Sequence, residues 1–340
     1  MDELSERQRT VLKMVVREFI ATAQPVSSQR IVATYDLPWS SATVRNEMAA
    51  LEAAGYLTHP LTSAGRVPTE KGYRYFVEHL LEELTLPVAE QVRIRHQFGQ
   101  ARLQLEQWVR LAASILAQET QAAALATPPR VERCHLKRVE LIPLREGVIL
   151  LLLVLQEGRV QEQMLSLDPP LYADDLARAE HLLNIAFRGA DADQVQARWV
   201  VLPGPAAQFG RVVADLMRRV DAGLGDHVVR EGLARVLAAP EFGRAEVARH
   251  VMRVLDERPL LEAIVSQGPD VGEVRVIIGG EGRWEALREM SLLLSRYGLH
   301  GGPTGVLGVL GPLRMPYGRA ISTLRYVSGL MSELLADWYG

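Results

Sequence analysis

The sequence predicts an α+β chain of more than one domain, and three observations carry that reading. Residues 4 to 80 hold three helical patterns followed by a loop containing Gly and Pro. Three short apolar runs lie between residues 136 and 167, and helical spacing then dominates from 205 to 265 before strand signals return between 274 and 310. With 340 residues, 48% of them hydrophobic and 23% charged, the composition is globular and leaves room for two or three domains.

The first helix is read from Leu4, Val11, Leu12, Val15, Val16 and Phe19 at helical spacing, and it stops before Pro25. Ser27 is a good N-cap for a short second helix over Gln29 to Ala33, which Leu37-Pro38-Trp39 breaks. Ser40 or Ser41 caps the third helix, whose buried stripe is Val44, Met48 and Leu51 and whose end is marked by Gly55. Tyr56-Leu57-Thr58 reads as a strand entering a loop from Pro60 to Pro68, a wing, and Thr69 caps a further helix through Tyr73, Phe76, Val77 and Leu80. Three helices with a tight second turn and then a β-loop predict a winged helix-turn-helix.

A helical pattern over 85 to 125 (Val88, Val92, Phe98, Leu105, Trp108, Leu111, Ile115) ends at Pro128-Pro129. An antiparallel meander follows at Leu136 to Leu144, Val148 to Leu155 and Val160 to Leu167, then a helix from Ala173 to Phe187 whose start Asp174 and Asp175 suit. Strands are expected again at Val274 to Ile278, Met290 to Tyr297 and Gly305 to Leu310, and a last helix from Gly318 to Trp338. The two β blocks are read as one sheet interrupted by a helical insertion.

Charge excludes a whole-chain attraction to nucleic acid: Lys plus Arg number 38 against 41 Asp plus Glu, a net charge of −3. Cys134 is the only cysteine, so neither a disulfide framework nor a Cys-cluster zinc site is available, and a reducing cytoplasm is the expected setting. The acidic start, Met1-Asp-Glu, does not read as an export signal, and the longest apolar run, Val148 to Leu155, is far shorter than the roughly 18 to 20 residues that span a bilayer. The histidines form no paired metal-ligand spacing, the glycines from 298 to 311 have no following Lys, and no nucleophile and base stand together. No cofactor, metal or catalytic activity is expected.

The chemistry is expected in the third helix. At 100° per residue Ala42, Arg45, Asn46 and Ala49 fall opposite Val44, Met48 and Leu51. Arginine pairs bidentately with guanine and asparagine with adenine in a major groove, and small alanines allow close approach. Ser41 and Thr43 suit phosphate oxygens at the helix start. Residues 1 to 80 contain nine basic and nine acidic side chains, so placement must supply the field. The candidate DNA-binding set is Ser28, Arg30, Ser41, Ala42, Thr43, Arg45, Asn46, Ala49, Thr62, Ser63, Gly65, Arg66, Lys71 and Arg74.

Two stretches carry a resemblance. Ser41-Ala-Thr-Val-Arg-Asn-Glu-Met-Ala-Ala-Leu-Glu-Ala-Ala-Gly-Tyr-Leu57 with Thr62-Ser-Ala-Gly-Arg-Val-Pro68 and Lys71-Gly-Tyr-Arg-Tyr75, and then Gly305-Val-Leu-Gly-Val-Leu-Gly-Pro-Leu-Arg-Met315, closely resemble the heat-inducible transcription repressor HrcA family. The resemblance implies a winged-helix domain over 1–84, a GAF-like domain over 85–190 and 268–340, and a helical dimerisation domain inserted at 191–267. It also implies a homodimer bound to an inverted-repeat operator ahead of chaperone operons, released on heat stress and supported by a chaperonin. The alternative is a metabolite-responsive winged-helix regulator with a ligand pocket in its sheet domain. For the insertion, Val229, Leu233, Val236, Leu237, Phe242, Val251 and Leu255 are expected to face a partner subunit, because they exceed what an isolated insertion could bury.

Overall fold

Capping decides where the N-terminal helices start. In the computed structural model, which describes residues 4–60, 65–82, 84–101, 104–130, 133–156, 158–222, 228–243, 248–249, 251–253, 263–264, 267–280, 287–288 and 290–339, α1 (Glu6–Thr22) opens on a capping box between Ser5 and Gln8. Ala23 closes it in the left-handed region. Ser27 caps α2 (Ser28–Thr34) and Ser40 caps α3 (Ser41–Ala53), each accepting from the backbone N–H three residues on. Gly55, at φ +79°, turns the chain into a hairpin of β1 (Leu57–Thr58) and β2 (Val67–Pro68), and Thr69 caps α4 (Glu70–Tyr75), which widens into a π-helical turn over Phe76–Leu80.

Two helices follow, α5 (Val88–Gln100) and α6 (Leu105–Thr120), and then β3 (Ala123–Ala126), where the sequence predicts continued helix. Val88 and Val92 do not join the core: they are 74% and 63% exposed, while Ile94 and Phe98 are buried. The meander falls where expected, as β4 (Leu136–Arg145), β5 (Val148–Leu155) and β6 (Val160–Ser166), followed by α7 (Ala173–Phe187), α8 (Ala192–Arg198) and α9 (Pro205–Ala222). The remaining elements are β7 (Val229–Glu231), α10 (Leu233–Leu237), β8 (Val274–Ile278), β9 (Met290–Gly298), β10 (Thr304–Pro312) and α11 (Tyr317–Tyr339).

The strands do not form one sheet. β4, β5 and β6 pair only with one another, in that order, whereas the later strands join β3 in a five-stranded antiparallel sheet ordered β7-β3-β10-β9-β8. The chain accordingly divides into one unit of residues 1–129, 227–300 and 304–340 and a second of 130–226 with 301–303. The insertion therefore begins before the meander and ends near residue 226, rather than spanning 191–267. The physical reason is the core: Leu151, Leu153 and Leu155 of β5 are buried together with Leu183 and Phe187 of α7 and Phe209, Val213 and Met217 of α9.

In the first unit a single hydrophobic cluster runs from Val11 and Val15 of α1 through Met48 of α3 and Tyr73 of α4 to Leu293, Leu307 and Leu324. The N-terminal module has no core separate from that of the five-stranded sheet. The residues expected to face a partner lie here: Val236, Phe242 and Val251 are 1% exposed or less, and Val229, Leu233 and Leu237 pack against the same cluster. The apolar surplus that argued for a partner at these positions is consumed within the chain, and Leu255 lies outside the described residues.

In the second unit β5 alternates, with Ile149, Leu151, Leu153 and Leu155 buried and Val148, Leu150, Leu152 and Val154 half-exposed. Beside the latter stand Ile142 of β4 and Val160 and Met164 of β6, which are exposed. The outer edge of β4 is occupied by α7 side chains. The Asn184 amide donates to the Val139 carbonyl (2.8 Å) and accepts from the Val139 N–H (2.9 Å), and the Glu180 carboxylate accepts from the Leu141 N–H (2.9 Å).

Candidate nucleic-acid interface

Helix α3 buries Val44, Met48 and Leu51 and turns Ala42, Arg45, Asn46 and Ala49 to solvent, with Ser41 and Thr43 half-exposed at its start. Thr43 is committed to the cap: its N–H donates to Ser40 Oγ (3.2 Å), and the two hydroxyls are 3.0 Å apart. The outward face of α3 is small apart from Arg45 and Asn46, so a groove can approach the helix backbone between them.

The supporting residues are held differently from the sequence expectation. Ser28 is 6% exposed, buried rather than on the surface. Arg30 donates to Glu18 (2.7 Å) and pins α2 to α1; the Tyr35 pKa is raised, first by the phenol's own burial and then by the Glu18 charge. Gly65 is buried with no room for a side chain, since a Cβ there would sit 2.6 Å from the Pro25 carbonyl carbon, beside Val26 and Arg66, which exchange backbone hydrogen bonds that tie the wing to the segment before α2. Arg66 is 13% exposed and its guanidinium donates to Glu52 of α3 (2.8 Å). Thr62 and Ser63 lie outside the described residues.

Helix α4 faces two ways. Thr69 Oγ1 donates to the Gly55 and Tyr56 carbonyls (2.7 and 3.1 Å), and the Lys71 ammonium donates to the Ala54 carbonyl (2.7 Å) while lying 4.2 Å from the Tyr56 ring centroid. On its other side Tyr73 is 1% exposed beside Tyr317 (centroids 6.1 Å), and Arg74 donates to the Val276 carbonyl of β8 (3.0 Å). Burial raises the Tyr73 pKa well above the usual phenol range, and among the described residues its hydroxyl has no hydrogen-bond partner. Lys71 and Arg74 thus join the end of α3 to the sheet, a role the sequence reading missed. The flanking Gly72, Tyr73 and Tyr75 were the available signal, since a small residue and two aromatics in one turn mark close packing.

Among the described residues no group of three or more His, Cys, Asp and Glu side chains is placed to hold a metal, and no helix is long and apolar enough to cross a membrane. Cys134 is buried, with its N–H donated to Asp221. A helix-turn-helix backed by a two-stranded hairpin, with an uncommitted polar face on its third helix, is the build of a DNA-binding transcription regulator.

Known proteins narrow that class. The model of the HrcA protein C-terminal domain matches residues 106–321. The chain is 42% identical to the heat-inducible transcription repressor HrcA of Roseiflexus castenholzii, with 99% of this chain and 96% of the relative covered, and 44% identical to that of Herpetosiphon aurantiacus, with 99% and 97% covered. A crystal structure described as a hypothetical protein at 2.2 Å resolution superposes with a TM-score of 0.59 at 27% identity, over 98% of each chain. The chain belongs to the HrcA family of heat-inducible transcription repressors.

Proposed function

We propose that the protein is a cytoplasmic, homodimeric repressor that reads an inverted-repeat operator ahead of chaperone operons with α3, steadied by the wing, and lets go on heat stress. The observation that carries this reading is the α3 surface: Arg45 and Asn46 are exposed between Ala42 and Ala49, and among the described residues no hydrogen-bond or ion-pair partner engages them. Each can deliver a bidentate base contact. The half-exposed apolar outer face of β4, β5 and β6 supports a self-association surface, replacing the 229–255 segment in that role. The single sheet whose strands run 2-1-5-4-3 in chain order supports the GAF-like reading of the first unit's body.

Heat release follows from linkage. Operator affinity of a dimer requires both modules at fixed spacing, so loosening of either the sheet or the subunit contact lowers it before α3 unfolds, and a chaperonin would restore the competent population. Selection of bound sequences from random duplex DNA tests the core of this proposal. An inverted repeat whose recognition is lost with Arg45→Ala is expected; a selection without a shared sequence would overturn it.

A further inference from the structure

The geometry points to Arg7, held over Trp39, as a DNA-backbone contact beside α3; the inference rests on the operator-binding reading and adds a residue to it. Residues 4 to 80 contain nine basic side chains. Seven are engaged: Arg9 with Glu6, Lys13 and Arg17 with Glu82, Arg30 with Glu18, Arg66 with Glu52, Lys71 with the Ala54 carbonyl, and Arg74 with Glu78 and the Val276 carbonyl. Among the described residues, Arg45 and Arg7 are the two cations of this segment without a carboxylate or carbonyl partner.

Arg7 is exposed on the first turn of α1, and its guanidinium carbon lies 5.8 Å from the centroid of the Trp39 ring. Trp39 closes the turn between α2 and α3 and directly precedes Ser40, the cap of α3. An aromatic ring attracts the guanidinium without neutralising it, because a π face carries no net charge and leaves the N–H groups available to an oxygen acceptor. A carboxylate partner would instead occupy that edge. The nearby Glu6 carboxylate is engaged by Arg9 (3.3 Å). What remains is a full positive charge on α1, 5.8 Å from the ring of the residue that precedes the α3 cap, and its planar edge matches phosphate oxygens. Such a contact would set the register of α3 on the duplex without reading a base. In a module of balanced charge this matters, since most of the other cations are spent on folding.

The test uses full-length protein, the duplex recovered by selection and a scrambled duplex of equal length, with affinity followed against salt. Arg7→Ala is expected to weaken both duplexes by a similar factor, about 3- to 10-fold, and to lower the slope of log affinity against log salt by about 0.9 for each protomer bound. Arg7→Lys should keep that slope. Trp39→Leu should weaken binding with the slope retained, because the charge is still present but no longer posed. A purely structural Arg7 would lower thermal stability and leave the slope unchanged, which overturns the inference while leaving the operator reading intact. Wild-type protein that does not distinguish the two duplexes, with Arg45→Ala silent, would overturn both.

Discussion

Helices α3 and α4 carry similar signals in the sequence, a hydroxyl N-cap followed by cationic side chains, yet they end with opposite duties. The outward face of α3 is exposed, whereas α4 is packed on both sides: Lys71 and Thr69 hold the end of α3, and Tyr73 and Arg74 engage Tyr317 and β8. The difference teaches that a cation near a wing is not a DNA ligand by position. What decides is its neighbours: alanines around Arg45 keep a surface thin, while Gly72 and Tyr73 around Arg74 draw the helix inward.

The comparison can be broken most easily at α4. Tyr73→Ala should cost about 3 to 5 kcal/mol in denaturant unfolding, since a fully buried ring leaves a cavity. Gly72→Ala comes next, at about 1 to 3 kcal/mol or more, because its Cβ would stand 2.2 Å from the Tyr56 carbonyl oxygen. A variant as stable as wild type at either position would mean that α4 does not pack as described. Arg45→Ala should leave unfolding unchanged and cost about 1 to 3 kcal/mol in operator affinity by titration. Arg74→Ala should show the reverse, about 1 kcal/mol of stability and an unaltered preference for operator over scrambled duplex. The smallest effect sharpens the contrast: Tyr73→Phe removes a buried hydroxyl that has no partner among the described residues, so stability should hold or rise slightly.

Local chemistry made much of this legible. Ser27 and Thr69 fixed helix starts, the α3 stripe separated its two faces, and α7 occupies the predicted residues 173 to 187. What escaped was settled at long range. Ala123 to Ala126 is alanine-rich and follows a helix, so nothing local marks it as a strand; pairing with β10 and β7 makes it one. The meander's central strand, Val148 to Leu155, is apolar throughout, so the sequence says neither which face it buries nor which strands it will pair with. Val236, Phe242 and Val251 looked like surplus because the cores that absorb them lie far away in the chain.

One feature of the second unit reaches beyond its own fold. Asn184 gives and takes hydrogen bonds at Val139 as a neighbouring strand would, and Glu180 occupies Leu141, so the β4 side of the three-stranded sheet behaves as though already extended. An incoming strand would first have to evict these side chains, leaving β6 as the side on which the sheet can lengthen. A sheet that can lengthen on one side only is polymerisation-incompetent: two copies meeting edge to edge use up both openings, and the assembly terminates as a closed pair instead of running on as a fibre.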